Sequence, residues 1–69
     1  MNLNTLKAAV KREAPIMFWW AYPGFGYKRT GRWGTVKAFE RTKDGDYITI
    51  LSEGETLTVH ERIVSHICY

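Results

Sequence analysis

The sequence predicts a mainly β domain in which one short N-terminal α-helix precedes five short antiparallel strands that curl into a strongly bent, open barrel. Three observations carry that prediction. Residues 32–51, RWGTVKAFERTKDGDYITIL, read as two strands folded about the turn Lys43-Asp44-Gly45-Asp46, because a tight turn favours residues that tolerate positive φ. Apolar residues recur at helical spacing only before Pro15. After it, runs rich in β-branched and aromatic residues alternate with tight turns, the pattern of a small barrel.

The 69 residues make one domain, with the helix in 1–14 and the barrel in 16–69. A domain of this size buries only about 60% of the surface its unfolded chain exposes, so a further source of stability is expected. Cys68 is the only cysteine, which rules out an internal disulfide and suits a reducing, cytoplasmic setting. Oligomerisation is the remaining route.

Asn2 or Asn4 caps the helix, whose apolar positions Leu3, Leu6, Val10 and Ala14 face inward while Lys7, Lys11 and Arg12 lie opposite. Pro15 ends it by pushing the preceding residue out of the helical region. Residues 16–21, IMFWWA, form a first strand buried on both faces, and its adjacent tryptophans must point to opposite sides. One of them therefore lies outside the monomer core unless something covers it. The segment 22–31, YPGFGYKRTG, is a loop with aromatic and cationic tips, and two readings stay open for it. Tyr22, Phe25 and Tyr27 either pack the loop down or offer stacking planes beside phosphate-seeking charges.

In the second strand Val36 and Phe39 cannot share a face of a straight ribbon, so a bend or bulge is expected between Lys37 and Glu40, with Gly34 a second place for curvature or close approach. The third strand, Tyr47 to Leu51, turns Ile48 and Ile50 inward. Residues 52–55 are the next turn, Thr56 to His60 is a fourth strand with Leu57 and Val59 inward, Glu61-Arg62 is a short connection, and Ile63 to Tyr69 is the fifth strand. That last run is apolar and lacks a Lys or Pro gatekeeper, so its edge is expected to pair with another subunit, head to tail, in a homo-oligomeric ring.

The longest apolar run, 14–21, is too short to span a bilayer, where about 20 residues are needed, and no basic-apolar-cleavage pattern opens the chain. The net charge of +3 is uneven: residues 1–43 carry nine Lys or Arg against two acids, and residues 44–69 carry one Arg against five. An anionic partner is expected at the N-terminal part. Catalysis finds little support. His60, His66 and Cys68 match no closed zinc arrangement, no Ser-His-Asp or Cys-His set can be argued, and Gly24-x-Gly26 lacks the helix and the Gly-Lys-Ser/Thr ending of a phosphate loop, so neither enzyme nor cofactor is expected.

The order of elements and several residues resemble an Sm-like protein, particularly the bacterial Hfq branch. Leu3-Asn4-Thr5-Leu6 followed by Lys11-Arg12-Glu13-Ala14-Pro15-Ile16 is similar to that branch's helix, basic stretch and proline before the first strand. Gly34-Thr35-Val36 with Phe39 resembles its second strand, Asp44-x-x-Tyr47 resembles the Asp-x-x-aromatic of the first Sm motif, and residues 59–63, VHERI, fall where the second lies. Departures are a loop between the first two strands longer than the family's tight turn, the extra residues 40–43, Ile48 where the Sm proteins have Asn, and Val59-His60-Glu61 in place of Hfq's Tyr-Lys-His. They suggest a phage or other mobile-element branch. The resemblance implies a ring that binds single-stranded RNA or DNA and presents or anneals strands. Tyr47 would stack on a base, Asp44 would accept from it or orient the turn, and His60 and Arg62 would contact base edge or phosphate. Lys11, Arg12, Lys28, Arg29 and Arg32 would form a second, less specific phosphate-binding surface. Structural roles stay open for the same residues: cross-strand packing for Tyr47, an ion pair with Glu61 or Glu55 for Arg62, and a solvated face for the basic helix. The alternative function is an SH3-like module, phage-encoded, that binds a host protein through the Trp/Tyr loop.

Overall fold

The computed structural model describes residues 2–24, 26 and 28–68, so Phe25 and Tyr27 of the aromatic loop lie outside the described residues. Helix α1 (Leu3–Arg12) starts where the Asn2 side chain accepts the backbone N–H groups of Asn4 and Thr5, at 2.8 and 3.4 Å. It stops where Glu13 turns left-handed, φ 50° and ψ 52°, with Glu13 N–H donating to the Val10 carbonyl and Ala14 N–H to the Ala9 carbonyl. This Schellman pattern satisfies carbonyls that a helix end leaves open. Leu6 and Ala9 are fully buried, which docks the short helix on the sheet it could not survive without.

Five strands follow: β1 (Pro15–Trp20), β2 (Thr30–Thr42), β3 (Gly45–Ser52), β4 (Glu55–His60) and β5 (Val64–Ile67), with a single 3-10 turn, Glu61–Ile63, before the last. All neighbours are antiparallel and the order is β4-β3-β2-β1-β5. The sheet does not close, and β4 and β5 are its two edges. Ile16, Phe18, Val36, Ile48, Ile50, Val59 and Ile67 line its inner face with Leu6, Ala9 and Ala14. Of the adjacent tryptophans, Trp20 packs half-buried against this core and Trp19 stays exposed.

At a rise of about 3.3 Å, the thirteen residues of β2 would run about 40 Å if straight, longer than the molecule's 36 Å greatest dimension. The strand bends instead, and the register with β3 shifts between Val36 and Ala38. Lys37 is the bulged residue, and its ammonium pairs with the Glu13 carboxylate beyond the helix end. The bulge puts Val36 in the core and lets Phe39 pack against it too, which resolves their parity conflict.

Most boundaries differ from the sequence reading by a residue or two, and three differences have a physical cause. β2 takes in Thr30 and Gly31, which register against Trp20 and Trp19 and so leave the loop. The fifth strand is shorter, because the His60 side chain accepts the Arg62 N–H and caps a 3-10 turn over Glu61–Ile63. The β2–β3 turn is centred on Lys43 and Asp44, between paired Thr42 and Gly45, and positive φ falls on Gly45 (115°) at the strand start, with no shift of register there. The β3–β4 turn instead has positive φ at both central residues, Glu53 (52°) and Gly54 (77°), the type I′ pattern.

Candidate nucleic-acid interface

Strand pairing brings the β2–β3 turn against the β4–β5 junction. Tyr47 and His60 are cross-strand partners, and their rings meet edge to face with centroids 5.0 Å apart. Gly45 lets the imidazole close over the turn: a Cβ there would lie 2.8 Å from His60 Nε2. His60 Nε2 lies 2.5 Å from the Asp44 carbonyl oxygen, while Nδ1 accepts from the backbone N–H of Arg62 at 3.1 Å and from its Nε–H at 3.3 Å. With two donors aimed at Nδ1, Nε2 is the ring nitrogen placed to donate to that carbonyl. The Glu61 carboxylate accepts the Asp46 N–H at 2.9 Å, a second tie between the two turns. Asp44, Tyr47, His60 and Arg62, far apart in the chain, thus form one cluster with a half-buried aromatic ring, an exposed guanidinium and an exposed carboxylate.

Asp46 underpins the turn. Its buried carboxylate takes a forked contact from Arg41, Nε–H to Oδ1 at 3.0 Å and a terminal N–H to Oδ2 at 3.2 Å. The Arg41 guanidinium holds the Asp46 carboxyl below its ordinary value. A carboxyl lowered on folding contributes stability that is present above its unfolded pKa and lost as the pH falls through the folded one. The parent is therefore expected to lose more stability than Asp46→Asn when the pH drops below about 4, read as urea midpoints at pH 7 and pH 3.

The second predicted surface does not gather. Lys11 and Arg12 stand before the start of β1, and Lys28 and Arg29 lie past its far end, all exposed. Arg32 is corrected outright: it is only 3% exposed, on the inner face opposite Phe18. Its Nε–H donates to Ser52 Oγ at 2.8 Å, and a terminal nitrogen reaches the Ser52 carbonyl oxygen at 3.0 Å and the carboxylates of Glu53 and Glu55 at 3.1 and 3.2 Å. The rings of Trp20 and Tyr22 flank the guanidinium at 5.7 and 5.2 Å. Tyr22 Oη donates to Glu53 at 3.1 Å, and burial pushes its phenol pKa up. Tyr22 thus packs the loop down over Arg32.

Glu61 and Arg41 also join the site: Glu61, expected as an ion-pair partner of Arg62, accepts the Asp46 N–H, and Arg41 carries no signal in the sequence. A shallow pocket of about 150 Å³ lies elsewhere, between Trp19, Trp20, Ala21, Arg29 and Ile63. Among the described residues no group of three His, Cys, Asp or Glu side chains is placed to hold a metal ion, and no helix is long and apolar enough to cross a membrane. No family model, curated protein or solved structure matches the chain.

Proposed function

We propose that this chain is a divergent Sm-like protein that assembles into a homo-oligomeric ring and binds single-stranded RNA or DNA, presenting or annealing strands without chemistry of its own. The observation that carries the reading is the convergence of Asp44, Tyr47, His60 and Arg62 from two turns into one cluster. Tyr47 offers a plane for an unstacked base, the exposed Asp44 carboxylate offers an acceptor, Arg62 offers a charge for phosphate, and His60, whose two ring nitrogens are taken by Asp44 and Arg62, holds these groups together. The sheet order supports assembly. β4 and β5 are opposite edges with unfilled ladder positions, so β4 of one copy can pair with β5 of the next, and repetition closes a ring if the rotation allows.

The test is fluorescence anisotropy with oligo-U, oligo-A and, as the DNA arm, oligo-dT at low and high salt, alongside size-exclusion chromatography with light scattering. Tyr47→Ala is expected to weaken binding about tenfold, the loss of one stacking contact. Binding should fall steeply with salt, and the mass should be a multiple of the protomer's. No binding at low salt, or a monomer at micromolar concentration, rejects the reading.

A further inference from the structure

The outer face of the sheet extends well beyond the Tyr47–His60 cluster and is not used by it. Side chains alternate along each strand, so the register defines which residues share that face. Tyr47 and His60 stand at one end. Thr49 pairs with Thr58, Leu51 with Thr56 and Thr35, and Trp33 with Met17; Trp19 comes last, opposite Gly31. The large apolar members are open to solvent, with Leu51 41%, Trp19 44% and Trp33 54% exposed. Three such residues on one face of so small a domain make a patch that calls for a partner.

We infer that this face is a second contact surface for the same single strand, along which a nucleic acid held at Tyr47 continues over the threonines to stack on Trp33 and Trp19. The inference rests on the single-strand-binding function proposed above. Charge singles out the occupant. The face itself carries one carboxylate, Glu40, beside Tyr47. The acids nearest its tryptophan end, Glu53 and Glu55, reach instead to the Arg32 guanidinium on the inner side. Exposed Lys28 and Arg29 lie just past Trp19 and Trp20, and Arg29 shares a pocket with both rings. Indole planes flanked by cations, with hydroxyl donors between, suit bases and phosphates, whereas an acid-poor basic rim suits the same face of a second copy poorly.

Geometry allows one strand to reach both ends. Six residues of β2, one of them the bulged Lys37, separate Trp33 from Glu40, the partner of Tyr47, about 20 Å of strand, or about six nucleotides at the stacked spacing of ~3.4 Å. Pairing of β4 with β5 between copies would use strand edges and leave this face open.

The experiment compares oligo-U of about three and about ten nucleotides, by anisotropy and by quenching of tryptophan fluorescence, on the full chain. Trp33→Ala is expected to weaken the longer oligomer about tenfold and leave the shorter unchanged, with Trp33→Phe restoring most of the loss because a stacking plane returns. Tyr47→Ala should weaken both. Trp33 is exposed, so circular dichroism should match the parent for each variant. If Tyr47→Ala weakens binding but Trp33→Ala and Trp33→Phe both match the parent, the extended path is overturned and the proposed function stands. A parent that binds neither oligomer overturns both. A fall in oligomer mass in Trp33→Ala would make the face a contact between copies and overturn the nucleic-acid assignment.

Discussion

Arg32→Ala is expected to lower the unfolding free energy by about 2 to 4 kcal/mol, a large share of the roughly 3 to 10 kcal/mol available to a chain of this length. The loss comes from the inner side of the guanidinium. Ser52 Oγ and the Ser52 carbonyl would each lose a donor where water cannot replace it, at about 1 to 3 kcal/mol for a buried group left unsatisfied. The rings of Trp20 and Tyr22 would lose the cation between them, worth about 0.5 to 2 kcal/mol. The ion pairs add little, because the side chains of Glu53 and Glu55 remain 60% and 63% exposed and water screens them. Arg32→Lys should recover only part of the loss, since an ammonium cannot fork between Oγ and carbonyl or lie flat against two rings. Urea unfolding at pH 7 reads both variants. Lys28→Ala, at an exposed position, serves as the comparison and should move the midpoint little while reducing the salt dependence of oligonucleotide binding. An Arg32→Ala midpoint equal to the parent's, with weaker binding, would return Arg32 to the basic surface.

Arg32 shows why some features were legible in the sequence and others were not. Features set by neighbouring residues came through: the alternation that buries Ile48 and Ile50, a cap at Asn2 or Asn4, which the structure narrows to Asn2, and the bulge forced by Val36 and Phe39. The clustering of Asp44 with Tyr47, His60 and Arg62 was also placed in advance, though by resemblance, because no local rule says which turns meet. Arg32 was misplaced because what neutralises it lies 20 residues and more along the chain, at Ser52, Glu53 and Glu55, and a lone arginine beside a glycine-rich loop looks solvated. Parity held the missing clue: Arg32 stands opposite Phe18, on the face that fills the core. The β2–β3 turn slipped by one residue for a related reason. Asp-Gly suits both a two-residue turn with positive φ at each centre and a turn whose glycine opens the next strand, and the second won because Gly45 must also admit His60.

Gly34→Val is expected to cost about 3 kcal/mol or more. Any Cβ at Gly34 would collide with Cγ2 of Ile50 and sit 2.8 Å from the Leu51 carbonyl oxygen and 2.9 Å from Ser52 Cβ. Ile50 is fully buried and has no room to turn, and the Leu51 carbonyl belongs to the backbone of the paired strand. Gly34→Ala would gain a little by stiffening the unfolded chain, about 0.4 to 1 kcal/mol, which the collision outweighs, so it too should destabilise, less than valine. The clash also reaches Ser52, whose hydroxyl donates to the Trp33 carbonyl at 2.6 Å and accepts from Arg32. Gly34 and Arg32 therefore act on the same serine from either side. Combining Gly34→Ala with Arg32→Ala should cost less than the sum of the two, because a Ser52 already displaced has less left to lose. Strict additivity in urea midpoints would mean that the close approach of β2 to β3 at Gly34 and the Arg32 anchor are separate devices. A shortfall of about 0.5 kcal/mol or more would join them into one, the brace that fixes the sheet's bend between Trp33 and the Tyr47 turn.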